Sequence, residues 1–363
     1  MINRDRAVQT FIDLARIDSP SGKEDDVARW TVARLQALGF TVQEDAFGNL
    51  VARQEDSGPS PLVLSAHMDT VQPCIGIQPS IEGNLIVSDG ATIVGGDCKA
   101  GMTAILEALA SLQEEGVASI PVEVFFSRQE EMGLVGAKNL DFPLLTGKQA
   151  IIFDTNGPVE TIVSGAPTHY AFNVEVVGRA AHAGAEPEKG LSAILLASEI
   201  ITRLSQGRID SETTANVGLI EGGSVRNSVP ARAIFKGEFR SRNPETLAKV
   251  KSMVQDSVDE VRNLHSAATI ELEFIKEFDG YNLTGDEPLL AKVTSALGSL
   301  GLEPQLGPTG GGTDANILRQ HGIESLVVGM ACREIHTVKE VVDITWLVNA
   351  ARFCETMITN HGS

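Results

Sequence analysis

One α/β domain interrupted by an inserted ferredoxin-like α+β domain is the fold class this sequence predicts. Three observations carry that reading. The chain has 363 residues, more than a single core usually serves. Helical and strand-like patterns alternate over 1–166 and again over 280–363, with polar residues where the apolar strands stop. Between them, 167–279 reads β-α-β-β-α-β, the split βαβ signature of a ferredoxin-like sandwich.

The elements follow in order. Val8, Phe11, Ile12, Leu14 and Ala15 give 4–17 a helical period, which Ser19-Pro20-Ser21-Gly22 ends. A second amphipathic helix runs to about Leu38, with Gly39 as its stop. Strands are expected over Phe40–Gln43, Leu50–Arg53 and Pro61–Ala66. The last is apolar enough to be covered on both faces, and it runs into His67-Met68-Asp69. A hairpin around Gly83-Asn84 precedes Gly95-Gly96-Asp97-Cys98, and a helix spans about 101–115. Val122–Phe126 is a strand leading to Glu130-Glu131, and Ala150–Phe153 is one ending at Asp154.

In the insert, strands are expected at 168–178, 213–221, 231–240 and 268–277, and helices at 188–205 and 244–265. Beyond it come a helix at 287–300, the glycine-rich loop Gly307–Gly312, a short helix from Thr313 and the strand Ser325–Met330. His336 and a final helix over 338–359 complete the chain.

Composition narrows the function. The net charge of −19 argues against nucleic acid or an anionic membrane as partner. No apolar run is long enough to span a bilayer, and the first residues lack a signal-peptide core. Cys74, Cys98, Cys332 and Cys354 are scattered without a Cys-x-x-Cys pair, which suits a reducing cytoplasm, so the expected location is cytoplasmic.

His67, Asp69, Asp97, Glu130, Glu131, Asp154 and His336 are the candidates for chemistry. Singly, each has a plainer role: a surface His-Asp pair, a solvated turn, a helix cap. Together they sit at strand ends or in glycine-flanked turns, where one sheet edge can collect them. Two imidazoles and several carboxylates form an N/O donor set suited to zinc, manganese or cobalt.

Ser65-Ala66-His67-Met68-Asp69-Thr70, Gly95-Gly96-Asp97-Cys98-Lys99-Ala100-Gly101, Gln129-Glu130-Glu131-Met132-Gly133, His182 and His336 resemble the dinuclear zinc exopeptidases and deacylases. That family includes peptidase T, carboxypeptidase G-type enzymes, aminoacylases and succinyl-diaminopimelate desuccinylase. The resemblance covers essentially the whole chain, and Pro308–Asn316 looks closest to the peptidase T-like branch. It implies a mixed-sheet catalytic domain (1–166 and 280–363) and an inserted lid and dimerisation domain (167–279). It implies two Zn2+ per subunit, with Co2+ or Mn2+ as substitutes. Asp97 would bridge the metals, His67 and Asp154 would complete one site, and Glu131 and His336 the other.

By the same resemblance Glu130 would be the general base and Asp69 would hold the His67 imidazole in its ligating tautomer. On physical grounds alone Glu130 and Glu131 are interchangeable; the family pattern decides. His182 in the insert would polarise the scissile carbonyl or stabilise its oxyanion. Asn227 would hydrogen-bond substrate, Arg240 would grip a substrate carboxylate, and Gly311 would offer a backbone amide beside a helix N-terminus. Cys98 stands where many relatives in that family have another residue, and His169 and Tyr170, at the entrance to the insert, would either line the cleft or be packed. The implied activity is hydrolysis of small peptides of the tripeptide aminopeptidase type, by a homodimer joined through the lid. The alternatives are an N-acyl-amino-acid deacylase, a carboxypeptidase, and a non-catalytic binding protein on the same fold.

Overall fold

Apolar strands that need cover on both faces organise the first of two units. The computed structural model describes residues 1–54 and 60–360. The first unit falls within Met1–Ser164, Leu283–Pro308 and the chain from Thr313 onward; the second is Gly165–Asn282 with Thr309–Gly312.

The first unit begins with helices α1 (Arg4–Ala15) and α2 (Asp25–Ala37), then strands β1 (Thr41–Glu44), β2 (Leu50–Arg53) and β3 (Leu62–His67). A hairpin of β4 (Ser80–Glu82) and β5 (Leu85–Val87) follows, then α3 (Gly96–Glu115), β6 (Val122–Ser127), α4 (Val135–Lys138), β7 (Gln149–Thr155) and β8 (Thr161–Ala166). Asn3 caps α1 by accepting the N–H of Arg6 at 3.1 Å, as a short polar side chain does at a helix start. β3 and β6 are buried at every position, which explains their unbroken apolar character.

The second unit holds β9 (Thr168–Val177), α5 (Ala193–Ile201), β10 (Gly207–Arg208), β11 (Thr213–Gly222), β12 (Arg232–Ser241), α6 (Pro244–Leu264), β13 (Thr269–Phe278) and β14 (Tyr281–Asn282). Its antiparallel sheet has the order β10-β11-β12-β9-β13. The four long strands therefore stand in the order expected of a β-α-β-β-α-β sandwich. Phe172, Val174 and Val176 alternate inward on β9 and pack with Leu196 and Ile200 of α5 and Val254 and Val258 of α6. α5 is shorter than the sequence suggests. Pro187–Lys189 form a separate 3-10 turn, and Ser192 caps the helix by accepting the N–H of Leu195. The loop Thr309–Gly312 belongs to this unit: Thr309 donates its N–H to the Gly165 carbonyl at 2.9 Å, and Arg242 donates to the Thr309 carbonyl at 3.3 Å.

The chain then returns to the first unit through α7 (Pro288–Ser299), β15 (Gln305–Pro308), α8 (Asp314–Gln320), β16 (Glu324–Gly329), β17 (Cys332–Arg333), β18 (Val341–Asp343) and α9 (Ile344–Asn360). The last helix starts at Ile344 rather than 338, because Val341–Asp343 pairs with β5 and β17 instead. The main sheet runs β1-β2-β6-β3-β7-β16-β8, with β6, β3, β7 and β16 parallel. Four parallel strands thus end on one edge, where ligands gather in open α/β sheets.

Candidate metal centre

Each of those four strand ends delivers part of one cluster. β3 ends in His67, β7 carries Asp154 near its end, the turn after β6 holds Glu130 and Glu131, and the segment after β16 holds His336. Asp97 comes from the turn that opens α3, where Asp97 and Cys98 are non-helical and regular helix resumes at Lys99. Gly101 lets α3 lie directly on β7: a Cβ there would sit 2.7 Å from Phe153 Cβ and 2.8 Å from its carbonyl oxygen.

Asp97 divides its two oxygens. Oδ1 is 2.9 Å from His67 Nε2, and Oδ2 is 3.1 Å from His336 Nε2. His67 Nε2 is also 3.7 Å from Asp154 Oδ1, and His336 Nε2 is 2.9 Å from Glu131 Oε1. The ligand atoms of His67, Asp97, Cys98 and Asp154 form one group within 4.8 Å, those of Asp97, Glu131 and His336 another, and those of His67, Glu130 and Glu131 a third. Asp97 belongs to the first two.

The ring of His67 is fixed by Asp69, chiefly through the main chain. Nδ1–H donates to the Asp69 carbonyl at 2.9 Å, while the Asp69 carboxylate stands 3.4 Å away. That carboxylate instead accepts the N–H of Glu130 at 2.9 Å, the N–H of Glu131 at 3.2 Å and the Ser21 hydroxyl at 2.7 Å. Asp69 therefore places the Glu130-Glu131 turn as well as the imidazole. With its Nδ1 proton committed, His67 turns Nε2 toward two carboxylates, where a protonated ring donates to Asp97 and a neutral ring offers a lone pair. A bound cation would take the place of that Nε2 proton between the imidazole and the carboxylates.

The acids respond to their crowding. Burial, with Asp154 nearby, pushes the Glu130 carboxyl well above its ordinary range, burial does the same to Asp154, and burial also raises Glu131. Burial also acts upward on Asp97, but hydrogen bonds from His336 and His67 outweigh it and hold that carboxyl at about 2. Of these carboxylates, Asp97 and Asp154 face His67, and Asp97 and Glu131 face His336. So many buried acids on two imidazoles fit a pair of dications, in donor chemistry and in charge.

The residues predicted in the insert all lie in the second unit. His182 is exposed, and its Nδ1 accepts the N–H groups of Gly184 (3.2 Å) and Ala185 (3.1 Å), which leaves the ring proton on Nε2 as a free donor. Asn227 is exposed, in the turn whose carbonyl accepts the N–H of Ala183. Arg240 already donates from Nε and Nη2 to Glu238 Oε2, at 3.2 and 2.7 Å, and Glu238 lies 2.8 Å from His169 Nε2. Tyr170 stacks on Phe239, so it is packed on the helix-covered face. Gly311 donates its N–H to Thr309 Oγ1 at 3.1 Å. The first turn of α8 is closed by its own capping box of Thr313 and Asn316.

Two buried acids that bear on the cluster escape the sequence reading. Asp314, held by the Ser127 hydroxyl, has its carboxyl raised to about 6 by burial. Glu340 accepts three backbone N–H groups around Asp97. Nothing in Asp314-Ala315-Asn316 or Val338-Lys339-Glu340 distinguishes a buried carboxylate from a solvated one.

Comparison with known proteins bears on the whole chain. Residues 167–263 match the profile of a peptidase dimerisation domain of the M20 type, and residues 49–179 match that of peptidase family M28. The tripeptidase of Staphylococcus aureus superposes with a TM-score of 0.91 at 33% identity, over 99% of each chain. The aminopeptidase PepT of Bacillus cereus does so with a TM-score of 0.88, also at 33%, over 100% of each. The chain belongs to the M20 peptidase family. An uncharacterised relative of this M20 peptidase, YqjE of Bacillus subtilis, is 33% identical over 99% of both chains. The dimerisation match falls on β9 through α6, within the second unit, and the M28 match runs from the start of β2 to just past the end of β9. As an M20 peptidase the chain is a metallopeptidase, and among the described residues the cluster above groups side chains that could hold a metal ion.

Proposed function

We propose that this chain is a dinuclear zinc aminopeptidase that removes a residue from small peptides, tripeptides foremost. The observation that carries it is Asp97, whose two oxygens face two different histidines, each beside its own further carboxylate. The substrate class is supported by the tripeptidase and the aminopeptidase that superpose over nearly the whole chain. When bound, two dications supply the charge that polarises the scissile carbonyl and acidifies an attacking water.

His67 and Asp154 would hold one ion, Glu131 and His336 the other, and Asp97 both. Glu130, buried beside Glu131 and more basic than an ordinary carboxylate, takes the water proton as oxygen adds to the carbonyl carbon. It returns that proton to the amine nitrogen as the C–N bond breaks. Asp69 positions His67, Glu130 and Glu131 through the bonds described. His182, a neutral donor at Nε2, suits the oxyanion that develops on the substrate. Arg240 is the candidate for a substrate carboxylate, oriented by Glu238; Asn227 and Gly311 are the remaining candidates for substrate contact.

Dimerisation through the second unit is part of this reading. It is supported by the dimerisation-domain match and by exposed Leu195, Ile220 and Val225. The cytoplasm is the proposed location, supported by four free cysteines; no helix is long and apolar enough to cross a membrane. The decisive experiment assays metal-free protein reconstituted with zinc, cobalt or manganese on tripeptides, dipeptides, N-acyl amino acids and C-terminally blocked peptides. Turnover of tripeptides with a free amino terminus is expected. Turnover of N-acyl amino acids alone would make it a deacylase, and hydrolysis that survives full chelation would remove the dinuclear mechanism.

A further inference from the structure

Glu340 lies four residues beyond His336 and is 1% exposed. Its Oε2 accepts the N–H groups of Val94 at 3.0 Å and Gly95 at 2.7 Å, and its Oε1 accepts that of Asp97 at 3.0 Å. All three donors belong to the turn that opens α3, where Gly95 has φ +75° and Asp97 has φ −84°, ψ 105°. None of these N–H groups belongs to the regular helix, and one carboxylate 243 to 246 residues away along the chain takes all three. The turn has no room to shift toward the β17–β18 hairpin: a Cβ on Gly96 would stand 2.5 Å from Cys332 Sγ and 2.8 Å from Val342 Cγ2. The connection between β17 and β18 carries both His336 and Glu340. One short segment therefore brings an imidazole to one side of Asp97 and holds the backbone of Asp97 from the other.

We propose that Glu340 is a positioning residue for Asp97, fixing the turn so that the two carboxylate oxygens face both metal positions at once. This rests on the dinuclear reading above. Because Asp97 serves both positions, loosening it weakens both together, whereas loss of a terminal ligand weakens one. Glu340→Gln keeps the volume and one oxygen but sets an NH2 group against a backbone N–H, two donors face to face. Glu340→Asp keeps the charge and draws the acceptor back by one methylene.

The test titrates metal-free parent and variants with Co2+, by calorimetry and by the visible spectrum of the bound ion. In Glu340→Gln both equivalents should weaken, by about ten- to a hundredfold. The cobalt spectrum should change, and kcat should fall more than KM rises. Glu340→Asp should fall in between, and it carries the test if Glu340→Gln does not fold. Leu35→Ala, which creates a cavity under α2, should lower stability and leave the titration and the spectrum alone. Two equivalents bound within about twofold of the parent by the variants, with an unchanged spectrum, overturn the proposal and leave the dinuclear reading standing. A parent that binds no metal overturns both.

Discussion

The first unit buries Glu24, Asp69, Asp97, Lys99, Glu107, Glu123, Glu130, Asp314 and Glu340, whereas the buried polar side chains of the second unit are Thr213, Ser241 and Ser257, among the described residues. In the first, carboxylates work as loop fasteners. Glu123 accepts the N–H groups of Thr146 and Gly147, Glu107 holds Arg6 and the N–H of Asn3, and Glu24 holds Arg128 with the N–H groups of Gly22 and Gln129. In the second, the core is aromatic and aliphatic, and charges pair at the surface, as in Arg232 with Glu175 and Lys276 with Asp279.

Burying a charge costs several kcal/mol unless it is paired and hydrogen-bonded, so a fold keeps many only where they place something. The first unit holds turns at strand ends to fixed positions, and the centre hangs on those turns. The second needs only a sheet covered by two helices. Substitutions should therefore divide into those that change chemistry at little cost in stability and those that do the reverse.

Glu130→Gln should break that division most visibly if it is false. Hydrolysis by the metal-loaded variant should fall by about a hundred- to ten-thousandfold. Metal stoichiometry should hold, because the substitution leaves the two groups that share Asp97 intact, although Glu130 itself also lies within 4.8 Å of the ligand atoms of His67 and Glu131. A rate within about threefold of the parent would remove Glu130 as the base. Phe239→Ala is the converse. The ring is fully buried, stacked on Tyr170 and edge-on to Phe274, so unfolding in urea should lose about 3–5 kcal/mol. The metal titration of the folded variant should be unchanged; a loss of metal affinity would mean that the units are not separable in this way.

Glu238→Gln sharpens the comparison at its weakest point, the half-exposed cluster of His169, Glu238 and Arg240. The His169 contact foremost, with Arg240, holds the Glu238 carboxyl at about 2, below its unfolded value near 4.5. A carboxyl depressed by folding adds stability that is fully present above the unfolded value and is lost as pH falls toward the folded one. The urea-midpoint difference between parent and variant should be largest near about pH 6, worth no more than about 1 kcal/mol after solvent screening, and should shrink through about pH 3. A difference that grows on acidification would reverse the assigned direction.

Much of the centre was legible because its residues are chemically loud and sit where apolar strands stop. His67 after Leu62–Ala66, Glu130-Glu131 after Val122–Phe126 and Asp154 after Ala150–Phe153 all follow that rule. The βαββαβ order of the insert was legible for a similar reason, since period-2 and period-3.6 patterns are local properties of the chain. Legibility failed where long-range pairing decides. Val341–Asp343 reads as the start of a helix, yet its hydrogen bonds go to β5 and β17. Thr161–Ala166 shows no strand pattern of its own, and becomes β8 by pairing with β16 and β15.

Sequence by itself thus determined the α/β class, the ferredoxin-like insert and the residue types of the centre, because composition and periodicity are written in neighbouring residues. Only tertiary structure decided that Asp97 splits its oxygens between His67 and His336, that the Asp69 carboxylate reaches the Glu130-Glu131 turn, and that Glu340 holds the turn before α3. The physical reason is common to all three. A carboxylate is the same group in water or in a core, and its role depends on which donors the fold brings to it from far along the chain.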